Sequence, residues 1–275
     1  MSQPGIRGEC GPSRPGQSAR APGPRAVAVI GTRVDAVHLD TALARVAELA
    51  RAERPAVVCF TNAHALVVAH REPAMARALS EADLCLPDGA PVAWMASRLL
   101  GLGQSRVSGP DFMWAYLGHA ASRGEPVFLY GGTPAVLAAL QERLLRAFPG
   151  LVIAGACSPP FRALTPEEED TITRRINASG ARTVWVALGC PKQEQWMHAH
   201  RDRIRAVMLG VGAAFDFHAG MVARAPGWMH RAGLEWLHRL ASEPQRLWRR
   251  YLLTNTLFIA LALRQLCVGR LRHPR

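Results

Sequence analysis

The chain has 275 residues, about half of them apolar, which is enough for one large domain with a packed core. Its formal charge of +12 is uneven: residues 1–25 carry a net +3, residues 223–275 a net +8, and the middle a net +1. A nearly neutral middle argues against a nucleic-acid-binding body, and with no run of 18 apolar residues no membrane span is expected.

Residues 1–24 are rich in Pro, Gly, Ser and Arg, lack an apolar signal segment, and are expected to be a disordered tail. From Val27 the chain alternates short apolar runs with helical spacing. "AVAVIGTRVD" reads as a strand leading into a glycine turn. Residues 40–53 read as a helix, "PAVVCFTNA" as a strand, and 64–80 as one helix. "ADLCLPDGA" is a strand ending in Pro-Asp-Gly, with a helix at 90–100. "EPVFLYGGTPAVLAALQERLLRAFP" gives strand, Gly-Gly turn and helix. "LVIAGACSPP" is a strand, and 166–179 a helix capped by Thr165. "TVWVALGCPKQEQWM" repeats strand, turn and helix, and "AVMLGVGAAFDFHAG" supplies a last strand. Continuous apolar strands in β-α units predict an α/β fold with a mostly parallel, covered sheet, related to the Rossmann type, over residues 25–222. Residues 223–275 show no strand signal and read as a basic appendage of two helices, about 230–241 and 243–267.

The six cysteines form no Cys-x-x-Cys pair and no metal-spaced cluster with histidine. Cys59 and Cys85 lie in apolar strands and read as small buried thiols, as in a reducing compartment. Asp88 follows a strand and precedes Gly89, where parallel sheets line their ligand crevice. A carboxylate there accepts a proton from a hydroxyl, although Asp-Gly also favours a turn by itself. Gly131 and Gly132 suit either close backbone approach to a phosphate or a tight strand-to-helix turn. Gln193, early on a helix, suits a hydrogen bond to a sugar or base, and Lys192, the only lysine, a phosphate or solvent. No Asp-x-Asp pair occurs, so a metal-bridged diphosphate is not signalled. Arg106 is one candidate to stabilise a diphosphate instead. Arg246, Arg249 and Arg250 share a helix face, and Arg239 precedes them.

Taken in order, "TNAHALVVAHR", "ADLCLPDGAPVAW", "RVSGPDFMW", "FLYGGTPAV", "ALGCPKQEQWM", "GVGAAFDFHAG", "RAPGWM", "GLEWLHRL" and "EPQRLWRRY" resemble the WecG/TagA/CpsF family of bacterial glycosyltransferases, glycosyltransferase family 26. The match covers roughly residues 27–251. The resemblance implies an inverting transfer of a hexose or N-acetylhexosamine-type sugar from a UDP-sugar to a sugar on a polyprenyl diphosphate. Glucose, N-acetylmannosamine and its uronic acid are all transferred by such relatives, for exopolysaccharide, capsule, teichoic acid or common antigen. It also implies metal independence, with no cofactor.

By the same resemblance Asp88 is the general base. Asn62, Arg106 and Gln193 match substrate-binding positions, and Gly131 and Gly132 match the family's glycine turn. Where the family has threonine two residues before its asparagine, this chain has Phe60, and Thr61 would face the opposite side of its strand. Arg239, Arg246 and Arg249 match arginines that a C-terminal appendage brings to the site. The appendage is expected to lie on the inner face of the cell membrane, with Leu252, Leu253, Leu257, Phe258 and Leu261 at the interface, on a peripheral cytoplasmic protein; a homo-oligomer is compatible. The competing enzyme reading, a nicotinamide-dependent oxidoreductase, needs a G-x-G-x-x-G after the first strand, which "VIGTRVD" does not supply.

Overall fold

The computed structural model describes residues 24–231, 235–242 and 244–272; the tail read at 1–24 lies almost wholly outside them. The chain opens on two short strands, β1 (Ala26–Val29) and β2 (Thr32–Asp35), paired antiparallel. The segment expected to be one strand is therefore a hairpin. Its turn places Ile30 (φ 51°) and Gly31 (φ 80°) in the left-handed region, as a two-residue hairpin turn requires. Because this glycine turn joins strand to strand, it cannot be the strand-to-helix phosphate turn that the oxidoreductase reading needs.

The body is a six-stranded sheet in the order β4-β3-β8-β7-β5-β6, with every recorded pairing parallel. Its strands are β3 (Ala56–Thr61), β4 (Leu84–Pro87), β5 (Val127–Gly131), β6 (Ile153–Cys157), β7 (Thr183–Ala187) and β8 (Val207–Gly210). Four central strands are buried along their whole length or nearly so, the reason their sequences are apolar without alternation. Cys59 and Cys85 are opposite each other on β3 and β4, both buried and free, as read from the sequence. Burial pushes both thiols up, that of Cys85 to about 12, so neither is a ready nucleophile.

Helices cover both faces. On one side α1 (Leu39–Arg51), α5 (Gly109–Arg123), α6 (Pro134–Ala147) and α9 (Ala214–Ala219) enclose a cluster built on Phe60, Phe112, Tyr116 and Trp185. On the other, α2 (Ala63–Arg71), α3 (Pro73–Glu81), α7 (Pro166–Ala178) and α8 (Lys192–Ala199) pack on Val57, Phe128, Tyr130 and Met208. The expected helix at 64–80 is two helices because Pro73, lacking an N–H, starts α3 at its first position. No helix is predicted above for α5, yet Ser108 caps it by accepting from the Asp111 N–H, and its apolar positions recur at helical spacing.

After α4 (Ala90–Leu100) a third cluster forms beyond β4. It joins the hairpin, α2, α4 and the last helix, α12 (Pro244–Arg272), which follows α10 (Gly227–Arg231) and α11 (Glu235–Ser242). Phe258 and Ala262 are buried there against Leu66, Val67, Val92 and Met95. The Gln265 side chain accepts from the Ile30 N–H (2.8 Å) and donates to the Ala28 carbonyl (2.6 Å), fastening the hairpin to α12. Among the described residues no helix is long and apolar enough to cross a membrane.

Candidate active site

Parallel strands bring all their C-terminal ends to one edge, and four segments meet there beside β3 and β4. The Asp88 N–H donates to the Thr61 carbonyl (3.0 Å), and the Val107 N–H to the Pro87 carbonyl (2.8 Å). Asp88 is thus held between β3 and the segment carrying Arg106, half-exposed at the rim. Asn62, the first residue beyond β3, caps α2: its Oδ1 accepts from the Ala65 N–H (3.0 Å), a bond worth about 1 kcal/mol. Its amide nitrogen is the part left to meet a ligand. Phe60 and Thr61 face opposite sides, as expected: Phe60 packs on Phe112 (ring centroids 5.3 Å), while Thr61 is buried on the side of Cys85.

Two ion pairs tie the appendage to this rim. Arg106 Nη1 lies 3.5 Å from Glu235 Oε2 on α11. Arg224, just before α10, pairs with Asp111 at the start of α5, and Asp111 also accepts from Ser108 Oγ (2.5 Å). On α12, Thr254 Oγ1 stands 3.3 Å from Nδ1 of His64, two residues after Asn62. The final helices therefore sit over the edge that carries Asp88. Arg239, Arg246 and Arg249 fall on α11 and α12, but their side chains lie outside the described residues.

The Gly-Gly turn stands apart. Between β4 and β5 lie β3, β8 and β7, so four strand spacings, about 19 Å, separate Asp88 from Gly131 and Gly132. The Gly132 N–H is committed to the Ala187 carbonyl (3.2 Å) and its carbonyl to Ser158 Oγ (2.6 Å). With its N–H bonded inside the protein, Gly132 does not offer that donor to a phosphate in this arrangement. The pair is there for backbone shape: a Cβ on Gly131 would lie 2.4 Å from the Ala187 oxygen.

Gln193 is 5% exposed, and its amide is occupied within the protein. Its Oε1 accepts from the Gly189 N–H (3.2 Å), and its Nε2 donates to the Gly210 carbonyl (3.0 Å) and to Glu194 Oε1 (2.9 Å). In this arrangement it staples the ends of β7 and β8 together rather than facing a ligand.

Glu194, which the sequence does not single out, is 2% exposed with Oε2 unpartnered. Burial raises its pKa, against the lowering influence of Gln193, its own backbone and Cys190; Cys59 and Cys85 also sense its charge. A raised carboxyl pKa means that folding favours the protonated form. That contribution is complete below the ordinary glutamate range and is lost as pH rises toward the folded-state value. Glu194→Gln keeps the acceptor for Gln193 and removes the titration. Its melting temperature relative to the parent is expected to rise as pH increases from the ordinary glutamate range toward the raised folded-state value. A constant difference over that range would show that Glu194 does not titrate with folding.

His218, behind the Arg224–Asp111 pair, has its pKa lowered first by burial; its Nε2 is 2.9 Å from the Pro110 carbonyl, to which the neutral ring donates. Phe161, in the loop after β6, is 87% exposed at the same edge. Among the described residues no three His, Cys, Asp or Glu side chains are grouped to hold a metal ion.

Residues 27–272 match the model of the glycosyl transferase WecG/TagA/CpsF family. A Bacillus spizizenii protein, N-acetylglucosaminyldiphosphoundecaprenol N-acetyl-beta-D-mannosaminyltransferase, is 39% identical over 186 residues, 67% of this chain and 70% of that one.

Proposed function

The chain belongs to the WecG/TagA/CpsF family of glycosyltransferases, and from that premise we propose that it transfers a sugar from a UDP-sugar to N-acetylglucosamine carried on a polyprenyl diphosphate, with inversion. The carrying observation is Asp88 fixed at the rim between Asn62 and Arg106, under helices of the appendage. The acceptor and an N-acetylmannosamine-type donor come from what the Bacillus relative is named for. The product would enter a cell-surface polysaccharide.

In this reading Asp88 removes the proton from the acceptor hydroxyl as its oxygen bonds to the sugar anomeric carbon. The bond from that carbon to the diphosphate oxygen breaks, and UDP leaves with the negative charge. Arg106, joined by Arg239, Arg246 and Arg249, stabilises that charge without a metal ion. In this reading Gly131 and Gly132, about 19 Å from Asp88 along the sheet edge, would meet the nucleoside end of an extended donor rather than its diphosphate.

The outer stripe of α12 supports action at a membrane surface. Trp248, Leu252, Leu253, Ile259 and Leu263 are exposed by 48–63%, and α12 contains no acidic residue. Phe258, expected at the lipid interface, is instead buried, and Leu257 and Leu261 are half-buried, because α12 lays its inner stripe on α2. Surface substitution is therefore the clean test of membrane contact, since truncation would open the third cluster.

The deciding experiment incubates the full chain with a polyprenyl-diphosphate N-acetylglucosamine and a panel of UDP-sugars, with and without a chelator. One sugar added to the lipid, undiminished by the chelator, is expected. No addition from any UDP-sugar would overturn the reading.

A further inference from the structure

We propose that the membrane-facing surface extends from α12 onto α4 of the catalytic body, where Trp94, Arg98 and Leu102 seat in the headgroup layer of an anionic bilayer. This rests on the membrane reading above and adds to it a part of the surface outside the appendage.

α4 begins two residues after Asp88 and is sharply two-sided. Val92, Ala93, Met95 and Ala96 are buried, whereas Pro91, Trp94 and Arg98 face outward. Trp94 is 50% exposed and Leu102, just past the helix, 42%. The Arg98 guanidinium carbon lies 5.6 Å from the Trp94 ring centroid, a cation–π pair at the surface. An indole with an arginine beside it is suited to an interface: the ring sits among headgroups and the guanidinium pairs with lipid phosphate.

Three observations select a bilayer as the occupant. Val92, Met95 and Ala96 share the third cluster with Phe258 and Ala262, so α4 and α12 flank the same end of the molecule. Charge is of one sign: residues 89–104 contain no acid, nor does α12, which contributes six arginines. Such residues are drawn to anionic lipid. Finally, the acceptor of the proposed reaction is itself lipid-bound. Trp94 is only about 6 Å along the helix axis from Ala90, so seating α4 would fix the depth of the adjacent Asp88 relative to the lipid phosphates.

The test uses the full chain and co-sedimentation with vesicles of phosphatidylcholine alone or mixed with phosphatidylglycerol. Trp94→Ser is expected to weaken binding to the anionic vesicles about tenfold. Trp94→Tyr should restore most of it, and Leu102→Ser should weaken binding independently. Transfer to a detergent-dispersed acceptor should be unchanged in each. If neither Trp94→Ser nor Leu102→Ser alters vesicle binding while paired Leu252→Ser and Leu253→Ser does, the extension onto α4 is wrong and the α12 reading stands. If none of these variants alters it, both are wrong. A fall in native mass on Trp94→Ser, with vesicle binding intact, would assign the face to a second copy of the chain and overturn the proposal.

Discussion

Replacing Asp88 by asparagine is expected to lower turnover by about a hundredfold or more, the usual scale for a positioned base, while leaving UDP-sugar affinity within a few-fold of the parent. The structure makes this substitution interpretable. The backbone N–H of Asp88 binds the Thr61 carbonyl, and Val107 binds Pro87, and neither of these bonds uses the side-chain carboxylate that is replaced. Asparagine retains the volume and cannot accept the proton. Steady-state kinetics with a defined lipid acceptor, alongside calorimetric titration of the donor, separate the two effects. Near-normal turnover would remove Asp88 from the role of base.

Gly131→Ala is the second change with a large expected effect, here on stability. Gly131 has φ +117°, which side chains rarely adopt, and the new Cβ would lie 2.4 Å from the Ala187 oxygen and 2.6 Å from its carbonyl carbon. Those atoms belong to β7, paired in register with β5, so the obstacle is backbone and cannot rotate aside. A loss of about 3 kcal/mol or more follows, measurable by denaturant unfolding. Gly132→Ala is the control. At φ +69° its Cβ would meet only side chains, Val136 at 3.3 Å and Phe215 at 3.6 Å, and about 1 kcal/mol is expected. Equal, small losses for both would show that the β5 end yields more easily than its geometry indicates.

The sheet was legible because its central strands are buried throughout, which writes an apolar run into each one. Residues 109–123 were not read as a helix because Ser-Gly-Pro-Asp looks like a loop, although Ser108 and Pro110 are helix-start residues and the apolar stripe follows. The hairpin was hidden for a different reason. Isoleucine is a poor residue for φ 51°, and what accompanies it there is a hydrogen bond to Gln265, far away in sequence. Asp88 was visible from the resemblance and its strand end. The distance from Asp88 to Gly131 depended on strand order, which no local pattern encodes. The same holds for the Arg106–Glu235 and Asp111–Arg224 pairs, whose members lie more than a hundred residues apart. Gln193 illustrates the reverse case: a motif residue read as ligand-facing whose amide turned out to be occupied by Gly189, Gly210 and Glu194.

The clasp of Gln265 on the hairpin spans 235 residues. At ordinary rates of translation, roughly 5–20 residues per second, the hairpin leaves the ribosome on the order of ten to fifty seconds before its partner is made. During that interval the Ile30 amide has only water or a chaperone to meet, and the apolar underside of the hairpin has α2 and α4 but not the α12 side of its cluster. Maturation of this enzyme is therefore completed after the last helix emerges, and nascent chains stalled short of it should be the form that chaperones retain.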